Sequence, residues 1–331
     1  MDYNKVFNKF NGLNILIIGD VMIDSYMWGR VDRISPEAPV PIATIMSVED
    51  RLGGAANVAL NIRAMGANPI LCSVVGSDPK SKLLLSLMKK LDMDNEGIYF
   101  SKSRPTTVKT RIIGNKVQML RVDQEISDPL KQDDEENFIK TIKDIIESKT
   151  IDAIIFQDYD KGVITENTIS EIVEIANKKG IPTTVDPKKR NFLAYKNVTL
   201  FKPNLKELKE GLKIDFDLPT IDNLVDASNL LQHKLNADMI FVTLSEYGVF
   251  IADYKKTKNN MVIIPAHHRA ISDVSGAGDT VISIAALCLA IKLPFKSIAE
   301  ISNLAGGLVC EQVGVVPIDK ELLLSEVENK L

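Results

Sequence analysis

Histidine and cysteine are scarce in this chain, and their scarcity narrows the chemistry it can do. Three histidines occur, His233, His267 and His268, and their spacing suits neither a zinc site nor a Ser-His-Asp triad. Acid–base work would therefore fall to carboxylates. The three cysteines, Cys72, Cys288 and Cys310, sit singly in apolar surroundings without a CxxC pair, which fits reduced core residues better than disulfides or metal ligands. No GxxxxGK[ST] occurs, and no GxGxxG follows the first predicted strand, so a Walker phosphate loop and a dinucleotide fingerprint are both excluded. Long apolar runs are missing as well: Val281 to Ile291 is too short to cross a bilayer, and MDYNKVFNKFNGLN lacks the apolar centre of a signal peptide. A cytoplasmic protein with no membrane partner is expected. Lysine and arginine total 40 against 44 acids and are scattered, giving a net charge of -4, so no nucleic-acid partner is expected either.

What is present is an ordinary globular composition, 45% hydrophobic over 331 residues, enough to bury roughly three quarters of the unfolded surface. Short apolar runs recur as candidate strands: NILIIGD, PILCSVVG, DAIIFQD, IPTTVD, VTLFKPN and DMIFVTLS. Helical periodicity fills the gaps at 57–65, 81–91, 136–147, 166–179 and 220–235. That alternation predicts an α/β fold with a mostly parallel sheet. Two stretches break the rhythm. Residues 25–50 hold Pro36, Pro39 and Pro41 among extended-looking residues, and TTVKTRIIGNKVQMLRVD, 106–123, carries a Gly114-Asn115 hairpin signal. Together they predict a small β-layer, one face of which carries Lys109 and Arg111.

Ligands of open α/β sheets gather beyond the C-terminal strand ends, and several predicted strands end in acids. These are Asp20 and Asp24 after NILIIG, Asp158 after IIFQ, and Asp186 with Lys188 in TTVDPKK. Each alone reads as a turn or cap residue; jointly they suit a ligand rich in hydroxyls, such as a sugar. Gly53, Gly54, Ala55 and Ala56 allow close backbone approach, to a ligand or to a packed neighbour. The stretch DVSGAGDT, 273–280, is the strongest signal. Two glycines can turn successive amides toward one point, and the following helix adds its positive end, which together make an anion site. Asp279 beside it could take a proton from a hydroxyl attacking phosphorus, or could simply cap a helix predicted at 280–291.

In order, GDxxxD, GGAANVA, DPK, KPNLKEL, TLSEYG and DVSGAGDT resemble the PfkB, or ribokinase-like, family of carbohydrate kinases over nearly the whole chain. Within it, RISPEAPVP, GGAANVA and DYDKG resemble the D-glycero-β-D-manno-heptose 7-phosphate kinase module. The resemblance implies a ribokinase-like three-layer α/β/α fold, one domain over 1–331, with a β lid built from about 25–50 and 104–124. It makes Asp279 the catalytic base, with the amides of Gly276, Ala277, Gly278 and Asp279 as anion hole. Asn204, Leu205, Lys206 and Glu207 would lie along the ATP phosphates, Glu207 orienting Mg²⁺ through water. Ser245, Glu246, Gly248 and Asn303 would flank the nucleotide. Asp20, Asp24, Gly53, Gly54, Asn57 and Asp186 would meet the sugar, and Lys109, Arg111, Lys161 and Lys188, with Arg33, are the cations available to its phosphate. A monovalent cation such as K⁺ is a further candidate cofactor that the resemblance implies; Val274 and Ser275 stand where many relatives carry two threonines, which leaves the details of cation binding near the loop open. The implied reaction phosphorylates the anomeric C1 hydroxyl of D-glycero-D-manno-heptose 7-phosphate, giving the 1,7-bisphosphate for ADP-heptose and lipopolysaccharide core synthesis. Another sugar or sugar phosphate, or a non-catalytic binding protein on the same fold, are the other readings. A homodimer through the lid is expected, and, with no room in 331 residues for the nucleotidyltransferase often fused to such kinases, a separate enzyme for that step.

Overall fold

The strands of this protein, given by a computed structural model that describes residues 1–255, 260–267 and 269–331, form two sheets. In chain order they are β1 (Asn14–Gly19), β2 (Val21–Ile34), β3 (Pro41–Gly54), β4 (Asn68–Gly76), β5 (Ile98–Ser101), β6 (Val108–Gly114), β7 (Val117–Gln124), β8 (Ala153–Gln157), β9 (Thr183–Asp186), β10 (Leu200–Phe201), β11 (Met239–Thr243), β12 (Val249–Asp253) and β13 (Asn260–Ile264). His268 lies outside the described residues.

The large sheet runs β13-β12-β11-β10-β9-β8-β1-β4-β5. From β5 to β11 all neighbours are parallel, and β12 alone runs against both of its neighbours. Strands covered on both faces must be apolar throughout, which is why NILIIG and AIIFQ are continuous runs without alternation. Helices Ala55–Ala64, Ala277–Ala290 and Phe295–Val309 close one face with residues such as Ile62, Ile284 and Leu304; Gln132–Ser148, Glu166–Lys179 and Ile221–Leu235 close the other with Phe138, Ile172 and Leu231. This is the expected three-layer arrangement. Cys72, Cys288 and Cys310 are free and buried within it. Helices Tyr3–Asn8, Leu205–Leu212, Phe295–Val309 and Lys320–Lys330, and strands β5, β12 and β13, were not anticipated from periodicity.

The small sheet has the order β3-β2-β6-β7: two antiparallel hairpins joined through a parallel β2–β6 pair. β2 leaves the body, where Val21, Met22 and Ile23 are buried, and runs outward until Trp28 and Ile34 are exposed, and β3 returns past the exposed Met46 and Val48 to the buried Leu52. The β6–β7 turn falls one residue beyond the predicted pair. Gly114 closes β6, and Asn115 and Lys116 occupy the centre with φ of 52° and 66°. Two positive φ angles are the requirement of a type I′ turn, which asparagine tolerates and lysine does not. Replacing Lys116 with glycine should therefore stabilise the protein by about 0.5–1 kcal/mol, measured by denaturant unfolding.

Candidate active site

Four chain segments meet at the C-terminal edge of the large sheet. β8 ends at Gln157 and passes into Asp158-Tyr159, β9 ends at Asp186, β10 leads into Lys202-Pro203-Asn204, and the helix Ala277–Ala290 points its N-terminus at them. That helix begins three residues earlier than predicted. Its N-cap is Gly276 at φ 83°, a left-handed conformation that favours glycine, and no side chain caps it. Asp279 thus sits inside the first turn, which removes the reading of it as a cap residue. Of the cradle amides, Ala277 donates to Val274 O at 3.3 Å, while those of Gly278 and Asp279 have no backbone acceptor among the described residues. A Cβ at Gly278 would lie 3.6 Å from Asp186 Oδ2 and 3.9 Å from Lys202 Nζ, so the cradle opens onto that pair.

Asp279 is 6% exposed, yet no cation among the described residues contacts its carboxylate. Its Oδ1 accepts from Tyr159 Oη at 2.7 Å and from Gln157 Nε2 at 3.2 Å, and its Oδ2 accepts from Asn57 Nδ2 at 3.3 Å. Burial pushes its pKa up to about 6; the Tyr159 hydrogen bond opposes that rise and the charge of Asp186 adds to it. Lys202, whose charge reaches Asp279, is committed elsewhere: 2% exposed, it holds Asp186 Oδ2 at 2.9 Å. Lys188 joins Asp186 at 3.9 Å and pairs with Glu207 Oε1. Burial alone would lower the pKa of Lys188, but the two carboxylates outweigh it and hold the ammonium charged.

The other predicted residues divide clearly. Asp20 is buried and accepts from the amides of Tyr159, Lys161 and Val163 at 2.8, 3.3 and 3.1 Å, so it holds the 159–163 turn. Asp158 likewise accepts from Asp160 N, Asn191 and Tyr195, and burial together with the Asp20 charge raises its pKa to about 6. Gly53 and Gly54 owe their small size to packing, since a Cβ would lie 2.2 Å from Asp24 Oδ2 at the first and 2.3 Å from Asp20 O at the second. Asp24 itself pairs with Arg111 at 2.5 Å and borders a cleft of about 420 Å³, shared with Tyr26, Arg51, Asn57 and Lys90. The inferred cationic face of the small sheet is matched by acids. Lys109 meets Asp123 and Glu125 at 3.0 and 2.9 Å, and Lys161 meets Glu125 at 2.7 Å. Arg33 is exposed at the far end of β2, away from the buried edge.

On the other side of the cradle, a parallel bridge between Asn204 and Thr243 sets 204–207 beside 243–248. Asn204 and Glu207 form a capping box, the side chain of each accepting from the other's amide at 2.8 and 2.9 Å. Within that segment Leu205 packs into the core and Lys206 points outward, 82% exposed, so neither side chain enters the site. Ser245 and Glu246 are exposed on a short 3₁₀ turn; Gly248 and Asn303 both approach 264–266, Asn303 donating to Pro265 O at 2.9 Å. Among the described residues no three His, Cys, Asp or Glu side chains cluster to hold a metal. Glu207 and Asp186 flanking one lysine suit a Mg²⁺ that arrives on phosphates and keeps its waters, rather than a resident ion.

An amide cradle facing a buried carboxylate, on this sheet, is the arrangement that transfers a phosphoryl group to a hydroxyl. Residues 13–321 match the family described as pfkB family carbohydrate kinase. The chain belongs to the PfkB family. It is accordingly a carbohydrate kinase, a phosphotransferase with an alcohol acceptor. It is 38% identical over 317 residues to the bifunctional protein HldE of Methylobacillus flagellatus, covering 96% of this chain and 63% of that protein. The chain thus spans about two thirds of the length of the curated relatives it matches. In fold it resembles the tetrameric inhibited form of Escherichia coli phosphofructokinase-2 (TM-score 0.75, 17% identity, 96% and 99% of the two chains). It also resembles Arabidopsis thaliana ribokinase complexed with ribose and ATP (TM-score 0.70, 14% identity, 95% and 99%).

Three residues of this kinase's site escaped the sequence reading: Gln157, Tyr159 and Lys202. The signal for Lys202 was available, a charge between an apolar strand and a proline, but its burial was not. Ionising Asp279 inside the folded PfkB chain rather than in the unfolded one costs on the order of 3 kcal/mol. Because its folded pKa is raised above 3.8, wild type should lose stability relative to Asp279→Asn as pH rises from about 4 to 6, and the gap should then stay constant. Urea unfolding across pH checks this; parallel curves for the two proteins would contradict it.

Proposed function

We propose that the kinase phosphorylates the anomeric hydroxyl of D-glycero-D-manno-heptose 7-phosphate from ATP, giving the 1,7-bisphosphate, in the route to ADP-heptose and the lipopolysaccharide core. The sugar assignment rests on RISPEAPVP, GGAANVA and DYDKG, and the 38% identity to an HldE protein supports it. The observation that carries the chemistry is the position of Asp279, buried beside unpaired helix amides. In the proposed step Asp279 takes the hydroxyl proton, the freed oxygen attacks the γ-phosphorus, and the bond to the bridging oxygen breaks to release ADP. The amides of Gly278 and Asp279 carry the charge that grows on the transferred group, and Lys202 adds a fixed positive charge at the same spot. ATP lies along Asn204–Glu207 and between Ser245–Gly248 and Asn303. Glu207 and Asp186 are the carboxylates that would hold a Mg²⁺ arriving with the nucleotide, and that ion would supply neutralisation of the phosphate charge.

Asp24 and Asn57 meet the sugar hydroxyls in the cleft. For the phosphate that the sugar already carries, Arg51 and Lys90 line the cleft, and Arg51 and Arg111 stand over the Tyr26 ring at 5.1 and 5.2 Å. Lys109 and Lys161 are drawn instead into ion pairs with Glu125. The product proceeds to nucleotidyl transfer. No helix among the described residues is long and apolar enough to cross a membrane.

ADP release across a panel of sugars and sugar phosphates should give the highest kcat/KM with the heptose 7-phosphate, and Asp279→Asn should lower kcat by roughly 10²-fold or more. A better sugar elsewhere in the panel would replace the substrate, full turnover in the variant would remove the base, and nucleotide binding without any turnover would favour a binding protein. The exposed apolar residues of the small sheet, among them Trp28, Ile34, Met46, Val48, Leu120 and Val122, support a homodimer through this lid. Light scattering should give twice the chain mass for wild type and the chain mass for Val48→Glu; a wild-type monomer would refute the interface.

A further inference from the structure

Gln157 is the last residue of β8 and Tyr159 lies two residues beyond it, and both donate to one oxygen of Asp279. Oδ1 receives the phenol at 2.7 Å and the amide at 3.2 Å, whereas Oδ2 receives only Asn57 Nδ2 at 3.3 Å. The two oxygens of the carboxylate are therefore unlike. Oδ1 is filled by two donors on one rigid strand end, and Oδ2 keeps room for a further proton. The other face of Gln157 is also informative: its Oε1 is buried with no partner among the described residues, and the residue is only 2% exposed. An orphan acceptor beside a base needs a donor from elsewhere, and a polyol acceptor brings one on the carbon next to the reacting hydroxyl.

We propose that Tyr159 and Gln157 are positioning residues for the phosphoryl transfer: they occupy Oδ1 so that Oδ2 is the atom that takes the substrate proton, and the Gln157 carbonyl accepts from a neighbouring sugar hydroxyl. This rests on the reading of Asp279 as the base. The donors are neutral, which matters for the chemistry. Their hydrogen bonds steady the charged form without the large acidification that an arginine would impose, so the carboxylate is ionised near neutrality and still basic enough to accept a proton. Around Asp279 the charged and titratable groups are Asp186 at the end of β9, Lys202 after β10 and Tyr159 itself. Lys202 is held by Asp186, and burial followed by the charge of Asp279 raises the Tyr159 phenol well above its usual range, so it stays protonated and donating.

The test uses the full chain with ATP and D-glycero-D-manno-heptose 7-phosphate. In wild type, kcat/KM should rise with pH through about 6, as the Asp279 carboxyl loses its proton. In Tyr159→Phe the loss of a donor to the charged form should move that limb upward by about one pH unit and lower kcat about tenfold on the plateau, with KM for ATP unchanged. Gln157→Leu should show the same upward shift and a raised KM for the sugar. A second readout does not need turnover: the ¹³C resonance of the Asp279 carboxyl, assigned by its loss in Asp279→Asn, should titrate higher in Tyr159→Phe than in wild type. An unmoved titration and an unmoved acid limb in Tyr159→Phe would overturn the proposal while leaving Asp279 as base. Full activity of Asp279→Asn would instead remove the base and this proposal together.

Discussion

A carboxylate is kept out of water at a helix N-terminus without a cation of its own, and much of the architecture follows from that constraint. The cost of burying Asp279 is met by a phenol, two amides and the helix end, while Lys202, the charge that could have neutralised it, is bound to Asp186. The donors arrive from two layers: Asn57 from a helix on one face, Gln157 and Tyr159 from a central strand end. The three-layer packing is what makes those arrivals coincide. Asp20 and Asp158, which looked like ligand acids, serve the same end by fixing the turn that carries Tyr159.

The fold was largely legible because buried parallel strands must be continuous apolar runs, and six of them were. β13 escaped because it is a half-buried edge strand, β12 because it is a short run joined to β11 by a tight antiparallel connection rather than through a helix, and the Phe295–Val309 helix because its pattern is apolar on most sides. At the site, SGAGD could be read since only a glycine accepts the conformation at position 276, a constraint that is local to the chain. The donors to Asp279 could not be read, since a glutamine and a tyrosine beyond a strand have many ordinary uses and only the tertiary structure aims them. The cations of the small sheet show the same limit. Alternation correctly put Lys109 and Arg111 on one side, but it could not show that Asp24, Asp123 and Glu125 would sit against them.

Those ion pairs give the cleft a balanced interior. A ligand phosphate entering there would compete with a carboxylate for Arg111, whereas the ion pair of Arg51 among the described residues is with the exposed Glu49, so Arg51 could turn to the phosphate at smaller cost. On the proposed substrate, Asp24 released from Arg111 would gain a free acceptor for a sugar hydroxyl, and phosphate and sugar recognition would be exchanges of partner within one set of charges.

β2 and β3 remain paired from Gly54 at the floor of the site to Pro41 at the exposed tip. A hydrogen-bonded ladder of that length would act as a lever if its inner end tilted. Tilting the inner end, where Asp24 and Gly53 touch, swings the outer end through a larger arc, and the bulges at Trp28/Gly29 and Val31/Arg33 set where it bends. By thermodynamic reciprocity, whatever grips the tip must change the affinity of the floor by the same factor that occupation of the floor changes the grip on the tip.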